Sequence, residues 1–155
     1  MCLIVDTGCL PEVFNEDHSD HADFAPVKKW IRDGDGTLVY GCKKYFDELK
    51  KMPKYVKVLI ELKKNGSAER VNSDRVDPIF EDLKEILNNT SCDDEHLVAL
   101  VKATGVKVAC VVDGGAQNYL QDKRLYHSPT DRPKIYSDSG HDHLLSEDYI
   151  APYCS

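Results

Sequence analysis

The amino-acid sequence predicts an α/β fold, a three-layer α/β/α sandwich around a central parallel sheet. Short apolar runs alternate with stretches of helical periodicity along the chain, the pattern of a sheet covered by helices on its faces. Two of those runs, Cys2–Val5 and Val106–Val112, each lead into a carboxylate, Asp6 and Asp113. Ligands of open α/β sheets gather at the carboxyl ends of strands, so these two acids are expected to share a site. The length of 155 residues fits one domain, and 41% hydrophobic with 30% charged residues is an ordinary globular balance.

Each element follows from local chemistry. Cys2–Val5 reads as a buried strand stopped by Asp6 and a Thr7-Gly8 turn. Asn15–Asp23 is polar and acidic, hence a loop. Phe24–Ile31 reads as a short helix with Pro26 in its first turn. Asp33-Gly34-Asp35-Gly36 is a turn before the β-prone Thr37–Tyr40. Cys42–Lys51 is helical, with Tyr45, Leu49 and Met52 at helical spacing, and Pro53 opens a second helix that Asn65-Gly66 stops. Arg75–Leu87 has the clearest amphipathic pattern: Val76, Ile79, Phe80, Leu83, Ile86 and Leu87. Asp93 is expected to cap a helix carrying Leu97, Val98, Leu100 and Val101, which Gly105 ends. The Val106–Val112 strand stops at Asp113-Gly114-Gly115, and a short helix follows over Ala116–Lys123. The polar tail from Ser128 holds one short strand, Pro133–Ser137.

Composition narrows the function classes. No apolar run approaches the ~20 residues that span a bilayer. The N-terminal Met-Cys-Leu-Ile-Val-Asp lacks the basic start of a secretory signal. The six cysteines show no C-x-x-C spacing, which argues against a zinc ribbon. Several lie in apolar stretches, as buried free thiols do, so a reduced, cytoplasmic protein is expected. His18 with His21 and His141 with His143 read as polar loop and tail residues, each pair also a candidate metal site. A net charge of −7 argues at first against nucleic-acid binding. That average hides a division. Residues 28–64 carry 11 Lys+Arg against 5 Asp+Glu, a net of +6, while the rest carries 9 against 22, a net of −13. The basic stretch, with Lys43, Lys44, Lys50 and Lys51, is suited to track a phosphate backbone.

Four acids stand at element junctions: Asp6 after a strand, Glu48 within a helix, Asp94 at a helix start and Asp113 after a strand. Hard cations such as Mg²⁺ or Mn²⁺ take oxygen ligands, and a divalent ion removes the repulsion of clustered carboxylates. Such an ion also activates water for displacement at phosphorus.

The order and context of these acids resemble the PIN domain, a family of metal-dependent ribonucleases. Leu3-Ile4-Val5-Asp6-Thr7-Gly8 looks like the family's opening strand ending in Asp-Thr. Leu38–Leu49, with Glu48-Leu49 on the helix, resembles its second acidic position. Asp94-x-x-Leu97-x-Ala99-Leu100, then Gly105 and a strand ending Val112-Asp113, resembles the third and fourth; Leu120 and Asp122 resemble its trailing Leu and Asp. The resemblance covers residues 1–137, which would form the nuclease domain, with 138–155 a tail packed on it or extending it. It implies that Asp6, Glu48, Asp94 and Asp113 bind one or two Mg²⁺ or Mn²⁺ ions. Metal-activated water would then cleave single-stranded RNA to a 5′-phosphate and a 3′-hydroxyl. Thr7 would orient a water or a carboxylate, and Asp93 competes with Asp94, as Asp47 does with Glu48. Small members of the family are often toxins neutralised by an antitoxin-like protein partner, and they commonly form homodimers. A catalytically inactive, RNA- or protein-binding version of the same fold is the alternative. A different class is suggested by Asp33-Gly34-Asp35-Gly36-Thr37-Leu38, which matches the D-x-D-G-T-L nucleophile motif of haloacid dehalogenase-like phosphatases. That motif belongs after a buried strand, whereas here it follows an amphipathic helix.

Overall fold

The first strand, β1 (Cys2–Val5), is buried at every residue. A run of four apolar residues reaches that state only in the middle of a sheet covered on both faces. In the computed structural model, which describes residues 1–154, β1 pairs in parallel with β2 (Thr37–Tyr40) on one side and β4 (Val108–Cys110) on the other. β3 (Ala68–Arg70) and β5 (Lys134–Tyr136) extend the sheet, giving the order β3-β2-β1-β4-β5 with every pairing parallel. The helices are α1 (Leu10–Phe14), α2 (His21–Arg32), α3 (Lys43–Leu49), α4 (Pro53–Lys64), α5 (Ser73–Ile86), α6 (Glu95–Thr104) and α7 (Gly114–Leu120). Right-handed crossovers put α1–α4 on one face and α5–α7 on the other. The packing agrees, since α1 lies on α2, α3 on α4, α5 on α6 and α6 on α7. The protein is therefore an α/β chain with a five-stranded parallel sheet flanked by helices, as the alternation of patterns predicts.

This order fixes where a site can form. The chain builds outward from β1 to β2 and β3, then returns to β4 on the opposite side. The topological switch point thus lies between β1 and β4, whose carboxyl ends carry Asp6 and Asp113.

The structure differs from the sequence reading in several elements. β3 was not foreseen: Ala-Glu-Arg has no β-branched residue and becomes a strand by pairing with β2. α1 is likewise unforeseen. α2 begins at His21, taking in part of the expected loop. β4 covers only Val108–Cys110 of the apolar run. α6 is capped by Asp94 rather than Asp93, and Gly105 ends it at φ 69°, a left-handed conformation that glycine adopts without strain. Among the described residues, no helix is long and apolar enough to cross a membrane.

The cysteine reading is corrected. Cys2, at the start of β1, forms a disulfide with Cys154, 152 residues away, with Cα atoms 5.8 Å apart. Spacing motifs are local and cannot reveal such a pair. Cys9, Cys42 and Cys110 are buried free thiols and Cys92 is a half-buried one. The last residues run across the amino edge of the sheet in 3-10 turns. Leu144 and Ala151 are buried, and the Tyr153 hydroxyl donates to Glu69 Oε1 at 2.9 Å.

Candidate metal centre

Asp6 follows β1 directly. Its backbone N–H donates to the Cys110 carbonyl of β4 at 3.0 Å, so the last bond of the β1–β4 ladder sets its position. The 3-10 turn Thr7–Cys9 then bends the chain away. Gly8 sits beside the carboxylate: a Cβ there would stand 3.5 Å from Asp6 Oδ2.

Glu48 comes from α3, which is anchored by buried Tyr45 and Leu49. The Tyr45 hydroxyl donates to the Val5 carbonyl at 2.9 Å, tying α3 to the strand end one residue before Asp6. One turn further along α3, Glu48 accepts a 2.6 Å hydrogen bond at Oε2 from the Thr7 hydroxyl. Thr7 thus holds a carboxylate, the second of the two roles the resemblance implies for it.

α6 brings a residue that sequence reading missed. His96 lies in the first turn of a helix buried over nearly its whole surface, and its ring is fully buried in an edge-type contact with Tyr45. Its Nε2 is 3.4 Å from Glu48 Oε2, close but not aligned as a hydrogen bond, and neither ring nitrogen has a hydrogen-bond partner. Asp6, Glu48 and His96 each offer a ligand atom within 4.8 Å of the others, the one such group of three among the described residues. A polar residue at the head of the apolar run Leu97–Val101 was the available signal.

Asp94 and Asp113 stand at the margin of this group. Asp94 is the N-cap of α6 without a side-chain cap bond, so its carboxylate is left free. Asp113 is exposed and caps α7 by accepting from the Gly115 N–H at 3.3 Å. Neither joins the close set; Asp94 is felt in it directly, and Asp113 is felt by Asp94. Burial pushes the Asp6 carboxyl up to about 6; the charge of His96 opposes this, while Asp94 and Glu48 reinforce it. Burial also raises Asp94, against His96 and with help from Asp113. Glu48 goes the other way. Burial would raise it, but His96, the Thr7 hydroxyl and Lys44 together hold it below its ordinary value.

The other expected site residues lie apart. Asp93 is exposed and pairs with Lys44 at 2.6 Å, which leaves Asp94 as the acid nearer the centre. Asp47 is exposed and pairs with Lys50 at 3.6 Å. Asp122 caps the 3-10 turn at Lys123–Leu125 and binds Arg124 through both carboxylate oxygens. Lys43 pairs with Glu81, and Lys51 is exposed without an ion pair. His18 accepts from the Asp20 N–H, and His21 Nδ1 lies 2.8 Å from the Glu12 carbonyl. His141 accepts from the Ser137 N–H, and His143 is exposed; neither histidine pair forms a metal-ligand cluster. Asp33 and Asp35 lie in the exposed turn before β2, at the amino edge of the sheet and away from the carboxylates.

No protein-family model matches the chain, and no curated protein or solved structure is significantly similar to it. The donor chemistry fits a divalent cation. Two carboxylates and an imidazole face one another, the imidazole nitrogens are buried without partners, and burial with added repulsion from Asp94 and Glu48 raises Asp6, a cost that a cation relieves.

Proposed function

We propose that the protein is a Mg²⁺- or Mn²⁺-dependent endoribonuclease cleaving single-stranded RNA, as the PIN-domain resemblance implies. The observation that carries this reading is the convergence of Asp6, Glu48 and His96 at the switch point of a parallel sheet, with Asp94 and Asp113 at its margin. Asp6 and Glu48 would hold the cation, with Asp94 and Asp113 ligating through water or taking a second ion. A bound cation would supply activation of water and neutralisation of charge at phosphorus. Thr7 fixes one oxygen of Glu48, Tyr45 fixes the helix that presents it, and Lys44 limits the negative charge facing an incoming phosphate. The reading needs no side-chain nucleophile.

Cleavage of a single-stranded RNA oligonucleotide tests it. Activity should require Mg²⁺ or Mn²⁺, vanish with chelator, and fall more than about a hundredfold in Asp6→Asn and Asp94→Asn at unchanged circular dichroism. RNA that is bound but never cut with either metal would leave the inactive binding module instead. A toxin role adds a second expectation: growth arrest on expression, relieved by Asp6→Asn.

A further inference from the structure

His96 has no counterpart among the four acidic positions, and its placement is hard to explain as packing alone. The ring is fully buried, and both nitrogens lack a hydrogen-bond partner. A buried polar group left in that state is destabilising by roughly 1–3 kcal/mol. A histidine serving as fixed counter-ion to Glu48 would close to about 2.8 Å with a straight hydrogen bond. Instead Nε2 stands 3.4 Å from Oε2 and is misaligned. Two donors bound to one cation through bonds of about 2.1 Å stand roughly 3.0–3.4 Å apart, so the separation suits a shared ion better than a direct pair.

We propose that His96 ligates the cation of this centre together with Asp6 and Glu48, and that this mixed nitrogen–oxygen set selects Mn²⁺ over Mg²⁺. The inference rests on the metal-binding half of the reading above and not on RNA cleavage. Mg²⁺ demands an oxygen shell and gives up its waters reluctantly. Imidazole favours transition cations, and here the ring that would ligate is fully buried with both nitrogens unpartnered.

The test is Mn²⁺ binding to the full, disulfide-intact chain, followed by electron paramagnetic resonance with Mg²⁺ as competitor. Electron spin-echo modulation of the Mn²⁺-loaded protein then looks for ¹⁴N coupling. The expected result is imidazole-type coupling, with Mn²⁺ bound at least about tenfold more tightly than Mg²⁺. His96→Asn and His96→Gln should abolish the coupling and bring the two affinities together. The measurement on the unmutated chain stands even where a variant fails to fold. Mn²⁺ bound without nitrogen coupling, or with coupling that survives both substitutions, overturns the role of His96 and leaves a carboxylate-only centre. No Mn²⁺ binding at all overturns both this inference and the nuclease reading. Coupled Mn²⁺ without any RNA cleavage supports the ligand set and overturns the nuclease reading alone.

Discussion

At the amino edge of the sheet, Cys2 is joined to Cys154, the Met1 ammonium donates to the Cys154 carbonyl at 3.4 Å, and Tyr153 donates to Glu69. At the carboxyl edge, four residues further along the same strand, Asp6 is held above its usual ionisation range and His96 keeps two unpartnered nitrogens. One end of β1 is closed by a covalent link and satisfied polar groups. The other gathers groups that repel one another or lack partners. Local rules of stability are broken in proteins mainly where function requires it, and are compensated elsewhere. The contrast is the one the proposal requires, with stabilisation at one edge and ligand chemistry at the other.

The largest expected effect lies at the amino edge. A disulfide closing a loop of 152 residues removes more denatured-state freedom than one closing a short loop. By loop-closure entropy it contributes about 5 kcal/mol, the top of the observed range. Reduction, or Cys154→Ser, should lower denaturant stability by an amount approaching that figure. Mn²⁺ affinity should be unchanged, because the link is at the far end of the strand. Cys92→Ser is the control and should do little. Titration of the unfolded, unreduced chain should find four free thiols. Six thiols, or a metal affinity that falls with reduction, would break the separation of tasks.

At the carboxyl edge the expected effect is smaller and opposite in sign. Asp6 ionises near 6 in the folded protein and near 3.8 unfolded, so the native state holds the extra proton between those values. The contribution of Asp6 to stability is therefore most favourable below about pH 4 and declines as pH rises to about 6. At pH 7 the ionised, metal-free side chain is unfavourable by about 3 kcal/mol. Asp6→Asn should make the metal-free protein more stable at pH 7 by up to that amount, with the gain gone by pH 4, while it abolishes Mn²⁺ binding. A variant less stable than the parent at pH 7, measured by urea unfolding in chelator, would show that the carboxylate is structural.

The two edges were unequally legible in the sequence. The carboxyl edge announces itself locally: CLIV followed by Asp6, and an apolar run followed by Asp113, place two acids at strand ends before any fold is known. Glu48 and Asp94 could be proposed from position, but their neighbours Asp47 and Asp93 competed until Lys50 and Lys44 were seen to engage those neighbours. His96 was passed over because the sequence marks it only as a polar residue heading the apolar run Leu97–Val101; the burial of α6 at all but Glu95 and Lys102 exposes the anomaly. The amino edge was illegible altogether. Neither the Cys2–Cys154 link nor strand β3 has a local signal, since each exists through partners distant in the chain.

The basic stretch gives the smallest effect and sharpens the comparison at its border. Lys43, Lys44 and Lys50 already face Glu81, Asp93 with Glu95, and Asp47, so their charge is largely spent within the protein. Lys51 and Lys57 are exposed and carry no ion pair among the described residues. A single-stranded phosphate backbone should therefore be held by the second group more than by the first. Each lysine that neutralises a phosphate contributes about 0.7 to the slope of log affinity against log salt. Fluorescence anisotropy with labelled RNA, in an Asp94→Asn background that prevents cleavage, should show the slope falling by about 1.4 in Lys51→Ala/Lys57→Ala. Lys43→Ala/Lys50→Ala should change it by well under half as much, because the charge of those lysines is already met by Glu81 and Asp47. Equal losses from the two pairs would show that the lysines act as a uniform field, and that the acids facing them do not decide which phosphates are held.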